Sequence, residues 1–332
     1  MAQLRTILIG AGVMGALHAR ALSQHPDIQL VMIVDPDEER GREVAETWQT
    51  AWAPDLDELT DIDAAVVAAP TQFHYAWALR LLENSVPTLV EKPLTLSLSD
   101  TLGLLRTAEQ RDVPVMCGLL ERYNPAVRTM MDIVEEPMHL TIMRHSPYTP
   151  RIATDVASDL SVHDIDIAIR LNGGEPIGVA SHLARCHPDS PSGSNDVADV
   201  NLRFASGMLA SLSASRVSQR KIRTLHVAEL HRLTEVDLLR RDITVYHHVG
   251  SDFLPGRDTG YRQQTVIDIP AIADAREPLT TQLDRFVAIV RGQADKDEER
   301  RSILPVHKVL DHVLTAGEPN DEIELPDSAL VH

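Results

Sequence analysis

Lys92, Asp159 and His163 are the side chains best suited to move a proton at a reacting carbon. Lys92 stands in Glu91-Lys92-Pro93, directly after an apolar run at 88–90. A lysine partly desolvated at a strand end has a lowered pKa and can accept a hydroxyl proton. The plainer reading is a solvated lysine in a turn. Asp159 and His163 are spaced i, i+4 and share a helix face. The carboxylate can then orient the imidazole, or both can reach one substrate hydroxyl. The same pair also suits a packing histidine, or two ligands of a metal. No further ligands stand at recognisable spacing, so no metal is expected. Asp166 could hydrogen-bond His163 from the neighbouring turn or simply face water, and Asp164 is equally open.

A second set of residues suits holding a ligand. Pro70, Thr71 and His74 follow the apolar run 64–69, where loop groups can line a site; His74 reads equally well as a residue near a helix N-terminus. Glu121-Arg122-Tyr123-Asn124-Pro125 stands where the pattern of the chain changes. Arg144 and Arg151 flank the loop that precedes Asp159. In so acidic a chain, Arg122, Arg144 and Arg151 together can meet a phosphate or carboxylate. Ordinary surface arginines are the competing reading.

The elements that must position these groups begin at residue 6. Thr6-Ile7-Leu8-Ile9 has the apolar character of a buried parallel strand. Gly10-Ala11-Gly12-Val13-Met14-Gly15 follows, then an Ala- and Leu-rich helix over about 14–23, then a second apolar run, 28–34, ending on Asp35. Gly10 permits a tight turn, Gly12 lets backbone approach a pyrophosphate, and Gly15 lets helix and strand pack closely. The helix N-terminus offers free N–H groups to phosphates. Asp35, about 20 residues past the last glycine, can bind the adenosine ribose. This context points to a dinucleotide site, where Lys92 would face the nicotinamide. Asp35 favours NAD, since a carboxylate repels a 2′-phosphate; Arg40 and Arg42 keep NADP as the lesser alternative.

The strand–helix rhythm continues with a helix at 38–48, a short helical turn at 56–59, strands at 64–69, 88–90 and 113–117, and helices at 74–84 and 99–111. It predicts a parallel sheet covered on both faces. After Gly118 come helices at 124–133 and 159–171, a strand at 139–144, then strands at 179–186, 199–204, 208–215, 223–230, 234–239 and 243–247, with Gly207 suited to a hairpin. Short connections between them imply a large, mostly antiparallel sheet. Helices at 278–291 and 305–316 flank a charged loop at 295–301. The expected fold is α/β: a Rossmann dinucleotide-binding domain over 1–120, then an α/β domain with an open sheet over 121–332 for substrate binding and oligomerisation.

Composition narrows the function. The chain has 332 residues, 43% hydrophobic and 24% charged, as expected of a globular protein with two domains. Its formal net charge of −18 argues against nucleic-acid or anionic-membrane contact, so anions must be met locally. No membrane span or signal peptide is visible, and the two cysteines, Cys117 and Cys186, read as reduced thiols of a cytoplasmic protein.

The glycines 10, 12 and 15, Ala69-Pro70-Thr71 with His74, Glu91-Lys92-Pro93, and Asp159 through His163-Asp164 together resemble the glucose–fructose oxidoreductase and inositol dehydrogenase family of nicotinamide-dependent sugar oxidoreductases. The resemblance covers most of the chain. It implies a Rossmann domain with an open-sheet α/β domain, and catalytic positions at Lys92, Asp159 and His163. The segments 121–125 and 159–166, with Arg144, Pro147 and Arg151, look like members that oxidise UDP-N-acetylglucosamine at its 3-hydroxyl. Tyr123 and Ser146 depart from that subgroup, where Phe and Gly are usual. The resulting expectation is an NAD-dependent dehydrogenase of a nucleotide-linked sugar, with His163 as base and Lys92 polarising the oxygen, or Lys92 as base in its place, and with Asp159 orienting His163 and holding a sugar hydroxyl. The alternatives are a myo-inositol or free-sugar dehydrogenase, and a non-catalytic sensor of sugar or cofactor. A homodimer or homotetramer is expected from the free sheet face.

Overall fold

The computed structural model describes residues 2–56, 60–150, 154–253, 261–272 and 276–315. Its first sheet is built from β1 (Leu4–Ile9), β2 (Ile28–Val34), β3 (Ala51–Ala53), β4 (Ala64–Val67), β5 (Thr88–Glu91) and β6 (Val115–Gly118). All five pairings are parallel, in the order β3-β2-β1-β4-β5-β6. The strands are short and apolar because helices bury both faces; Ala64 to Val67 are wholly inaccessible. The order reverses between β1 and β4, so the carboxyl ends of those strands open a crevice of the kind that takes ligands.

Helices α1 (Val13–Gln24), α2 (Glu38–Thr47), α3 (His74–Glu83) and α4 (Leu98–Arg111) connect these strands. Asp37 caps α2 by accepting from the Arg40 N–H, and Ser97 caps α4 by accepting from the Asp100 N–H.

A turn at Leu120–Tyr123 leads to α5 (Pro125–Ile133), then β7 (His139–His145), a π-helical turn Ala157–Ser161 and α6 (Val162–Asn172). The second sheet adds β8 (Gly178–Ala184), β9 (Val197–Arg203), β10 (Leu209–Ser215), β11 (Ile222–Ala228), β12 (Arg232–Asp237), β13 (Asp242–Phe253) and β14 (Tyr261–Asp268). Its order is β14-β13-β12-β11-β7-β10-β9-β8, antiparallel except for β10 with β7. Alternate residues of β9 are buried and exposed, so one face packs and the other is open.

Helices α7 (Pro278–Val290) and α8 (Lys296–Thr315) bring the chain back to the first sheet. Leu279, Leu283, Phe286 and Val287 of α7 share a core with Ala19 and Leu22 of α1, and α8 packs on α4 and α6. The sequence expectation of a charged loop at 295–301 is corrected here. Asp295 accepts from the N–H groups of Asp297 and Glu298, and α8 starts at Lys296 and runs through Pro305. Its three acidic first-turn residues suit the positive end of the helix dipole. Residues 57–59 of the expected turn at 56–59 lie outside the described residues, as does Arg151. Strands β3 and β14 were not expected.

Candidate active site

The glycine turn separates into residues demanded by packing and one that is not. Gly10 has φ +97° and a Cβ there would stand 2.6 Å from the Ala69 nitrogen; a Cβ on Gly15 would stand 2.0 Å from the Gly10 carbonyl oxygen. At Gly12 a Cβ would meet nothing within 4 Å. The chain itself has no packing reason for glycine at 12, whereas a pyrophosphate approaching the backbone supplies one. No side chain caps α1 and no acid stands in its first turn, so its N-terminal N–H groups remain available to an anion. Val13 is exposed and Met14 half-buried beside them.

Asp35, at the end of β2, is only 3% exposed. It accepts from the Ala11 N–H at 2.7 Å and the Asp37 N–H at 2.9 Å, and pairs with the Arg40 guanidinium at 2.6 Å. Burial pushes this carboxyl up, but Arg40 and the two N–H groups outweigh burial and hold it below its ordinary value. Arg42 turns away to Glu38. Gly10, Gly12, Val13, Met14 and Gly15 thus fit the pyrophosphate of NAD, while Asp35, at the ribose end, already has both oxygens engaged by Ala11, Asp37 and Arg40.

Lys92 lies just beyond β5. Its Nζ donates to the carbonyl of Asp159 at 2.6 Å and to Asp159 Oδ1 at 2.8 Å. The π-helical turn carries Asp159 to this point from the second unit. Burial raises the Asp159 pKa, yet the neighbouring ammonium brings it below the ordinary value. His163, one turn on, is held well below its ordinary pKa by burial and then by Lys92, Arg144 and Arg223. It is therefore neutral near pH 7. Its Nδ1 is buried without a hydrogen-bond partner.

Glu91 is also buried. It bonds His18 Nε2 at 2.8 Å and accepts from the Lys92 N–H at 3.1 Å, fixing the turn that carries Lys92. Burial raises its pKa, but the His18 contact and Lys92 bring the carboxyl below its usual value.

Several sequence expectations need correction. The Asp159 carboxylate is bonded to Lys92, and among the described residues it makes no hydrogen bond to His163. Asp166 faces Arg122, not His163. His74 is 1% exposed, with Nδ1 and Nε2 set against the carbonyls of Pro93 and Ala69. Its ring therefore ties two strand-end loops together rather than lining a ligand, while Thr71, at the head of the turn Thr71–Phe73, and Pro70 remain accessible. Arg122 is buried between Asp166 at 2.7 Å and Glu299 at 3.0 Å. Arg144 is buried between Asp164 at 2.7 Å and Glu121 at 2.8 Å. Asn124 caps α5, accepting from the Ala126 N–H and donating to Glu121. These three act within the protein because burying a charge or amide requires close partners. Tyr123 lines a cavity of about 600 Å³ with Arg122, Asp166 and Glu299, and that cavity contains none of Lys92, Asp159 and His163.

Sequence reasoning missed Arg223. An arginine near the start of a strand carries no mark; it becomes visible when β11 pairs with β7 and sets Arg223 opposite Arg144. Among the described residues no group of three or more His, Cys, Asp or Glu could hold a metal, and no helix is long and apolar enough to cross a membrane.

Known proteins share this architecture. A family described as "Oxidoreductase family, NAD-binding Rossmann fold" matches residues 4–119, and the GFO/IDH/MocA C-terminal domain matches residues 141–229. The chain is 30% identical over 259 residues to a UDP-N-acetylglucosamine 3-dehydrogenase of Acidithiobacillus ferrooxidans, covering 77% of this chain and 80% of the relative. It is 26% identical over 329 residues to a scyllo-inositol 2-dehydrogenase (NAD(+)) of Bacillus subtilis, covering 92% and 96%. A solved structure of the Acidithiobacillus ferrooxidans enzyme superposes with a TM-score of 0.77 at 28% identity, covering 95% of this chain and 99% of that one. A Rossmann sheet joined to a mostly antiparallel one, a glycine turn shaped for NAD and these matches lead to one assignment: the chain belongs to the Gfo/Idh/MocA family and is an NAD-binding oxidoreductase.

Proposed function

We propose that this protein is an NAD-dependent dehydrogenase of a nucleotide-linked sugar, acting on a secondary hydroxyl as the UDP-N-acetylglucosamine 3-dehydrogenase relative is named for doing. The observation that carries the reading is the meeting of Lys92 with Asp159 beside a neutral, half-buried His163. His163 accepts the hydroxyl proton. Lys92, held by Asp159, donates to the substrate oxygen and stabilises charge that develops there. NAD supplies the hydride acceptor when bound. Glu91 and His18 hold the turn that aims Lys92.

The test is appearance of the reduced-nicotinamide absorbance on mixing protein, NAD and UDP-N-acetylglucosamine. No signal with any UDP-hexose would sink the reading. A second reading, oxidation of a free cyclitol, is favoured by one observation: Arg122 and Arg144 spend their charge on internal carboxylates. Myo-inositol and scyllo-inositol in the same assay separate the two.

The second sheet leaves Leu209, Val266 and Ile267 exposed, which supports a homodimer or homotetramer. The cytoplasm is the compartment this reading implies, and the free thiols of Cys117 and Cys186 are compatible with it.

A further inference from the structure

We propose that Arg223 receives an anionic group of the substrate, phosphoryl or carboxylate, at the mouth of the Lys92–Asp159–His163 site. The proposal rests on the dehydrogenase reading only for the identity of the ligand as substrate. Arg223 differs in kind from the arginines singled out from the sequence. Arg122 and Arg144 have side chains 3% exposed and carboxylates within 3.0 Å. The Arg223 side chain is 32% exposed, and among the described residues its one ion-pair contact, Glu121 Oε1, is 3.8 Å away. That oxygen already binds Arg144 at 2.8 Å. Two guanidinium groups therefore share one carboxylate oxygen, and Arg223 holds the weaker claim.

Its place in the fold directs the remaining charge at the reacting groups. Arg223, the second residue of β11, stands opposite Arg144 of β7, and Arg144 in turn grips Asp164, the residue after His163. The Arg223 charge is felt at both Asp159 and His163. Burial and then Arg144 lower its own pKa, so the surroundings are short of negative charge for it. An incoming anion relieves that shortage. The planar fork of a guanidinium matches two oxygens of a carboxylate or phosphoryl group. A neutral cyclitol offers it nothing comparable, so Arg223 also bears on the choice between the two readings of the substrate.

The experiment measures binding without turnover, in the full-length protein saturated with NAD. Calorimetric titrations with UDP, glucuronate and methyl glucoside are run on the wild type, Arg223→Gln and Arg223→Lys. The wild type is expected to bind UDP or glucuronate, and which one it prefers tells phosphoryl from carboxylate. Arg223→Gln is expected to weaken that ligand about 10–100-fold, as for loss of a charge-assisted pair, with NAD affinity and methyl glucoside unchanged. Arg223→Lys should recover part of the loss, and it serves alone should the Gln variant not fold. Wild type that binds neither anion overturns the proposal, as does Arg223→Gln or Arg223→Lys binding as the wild type does. Absence of reduced nicotinamide in the turnover assay would instead sink the dehydrogenase reading and leave these titrations standing.

Discussion

Lys92 Nζ donates twice to one residue, reaching the Asp159 carbonyl oxygen at 2.6 Å and the Asp159 carboxylate at 2.8 Å. The two residues are 67 positions apart and come from different sheets' connections. The contact joins the loop after β5 to the π-helical turn before α6, and so fixes the ammonium relative to His163. A lysine held at both ends in this way loses little entropy when substrate arrives, which is what preorganised catalysis requires.

Removing either partner should therefore damage chemistry more than cofactor binding. Lys92→Ala and Asp159→Asn are each expected to lower kcat by ~10²–10⁴, the range for a lost acid–base or polarising group. NAD affinity, measured by fluorescence quenching, should stay within about twofold, because the glycine turn and Asp35 are untouched. Near-normal kcat in both variants would remove Lys92 from the mechanism.

The three glycines should behave differently from one another. Gly12→Ala adds a methyl group that meets nothing within 4 Å of protein, so the melting temperature should hold while NAD binding falls at least ~10-fold. Gly15→Ala forces a Cβ to 2.0 Å from the Gly10 carbonyl oxygen, so it should destabilise the fold itself by several kcal/mol, of order ~3. A Gly12→Ala protein that binds NAD as the wild type does would mean that no pyrophosphate passes there.

The glycine turn and its flanking strands were legible because their cause is local: β1, α1 and β2 follow one another and each has its own apolar pattern. The i, i+4 spacing of Asp159 and His163 suggested a pair, but the Asp159 carboxylate bonds Lys92 instead. Which acid each cation meets was not legible, because the contacts are distant: Arg122 bonds Asp166, 44 positions away, and Glu299, 177 away. The sequence shows three arginines near a join; only packing reveals that two are consumed internally. Strand β3 has three residues, too few for a period to show. The start of α8 was hidden because a run of charges followed by Pro305 looks like a loop before a helix, whereas Asp295 supplies the cap and the dipole accepts the acids.

Arg122→Ala separates a structural arginine from a substrate-binding one. The substitution leaves buried Asp166 without its cation, and buried Glu299 with only Arg285 at 3.5 Å. Stranding buried charge in this way costs about 3–5 kcal/mol, readable as a fall in the urea midpoint. Substrate KM, measured on the folded fraction at low temperature, should change less than about threefold. A large rise in KM with unchanged stability would restore Arg122 to the substrate site.

His307 makes stability depend on pH in a definite direction. The residue is 3% exposed; its Nε2 accepts from the Leu94 N–H at 2.9 Å, and its Nδ1 lies 2.9 Å from the Ile303 carbonyl oxygen. An acceptor nitrogen cannot carry a proton, so the folded state needs the neutral ring. Burial, aided by the nearby Arg122 charge, lowers its pKa from 6.5 to about 4. Between those values the unfolded chain binds the extra proton and the folded chain does not, so stability rises with pH across the window. The contribution is fully present above about 6.5 and is lost as pH falls toward 4, at ~1.4 kcal/mol per unit, or roughly 3 kcal/mol in all. His163 and His74 are depressed in the same sense, so the informative quantity is a difference between proteins. His307→Gln keeps an acceptor for Leu94 and a donor for Ile303 but does not titrate. Its urea midpoint should fall less between pH 7 and pH 5 than that of the wild type. Parallel pH profiles for the two proteins would show that His307 is not the group that α8 needs neutral.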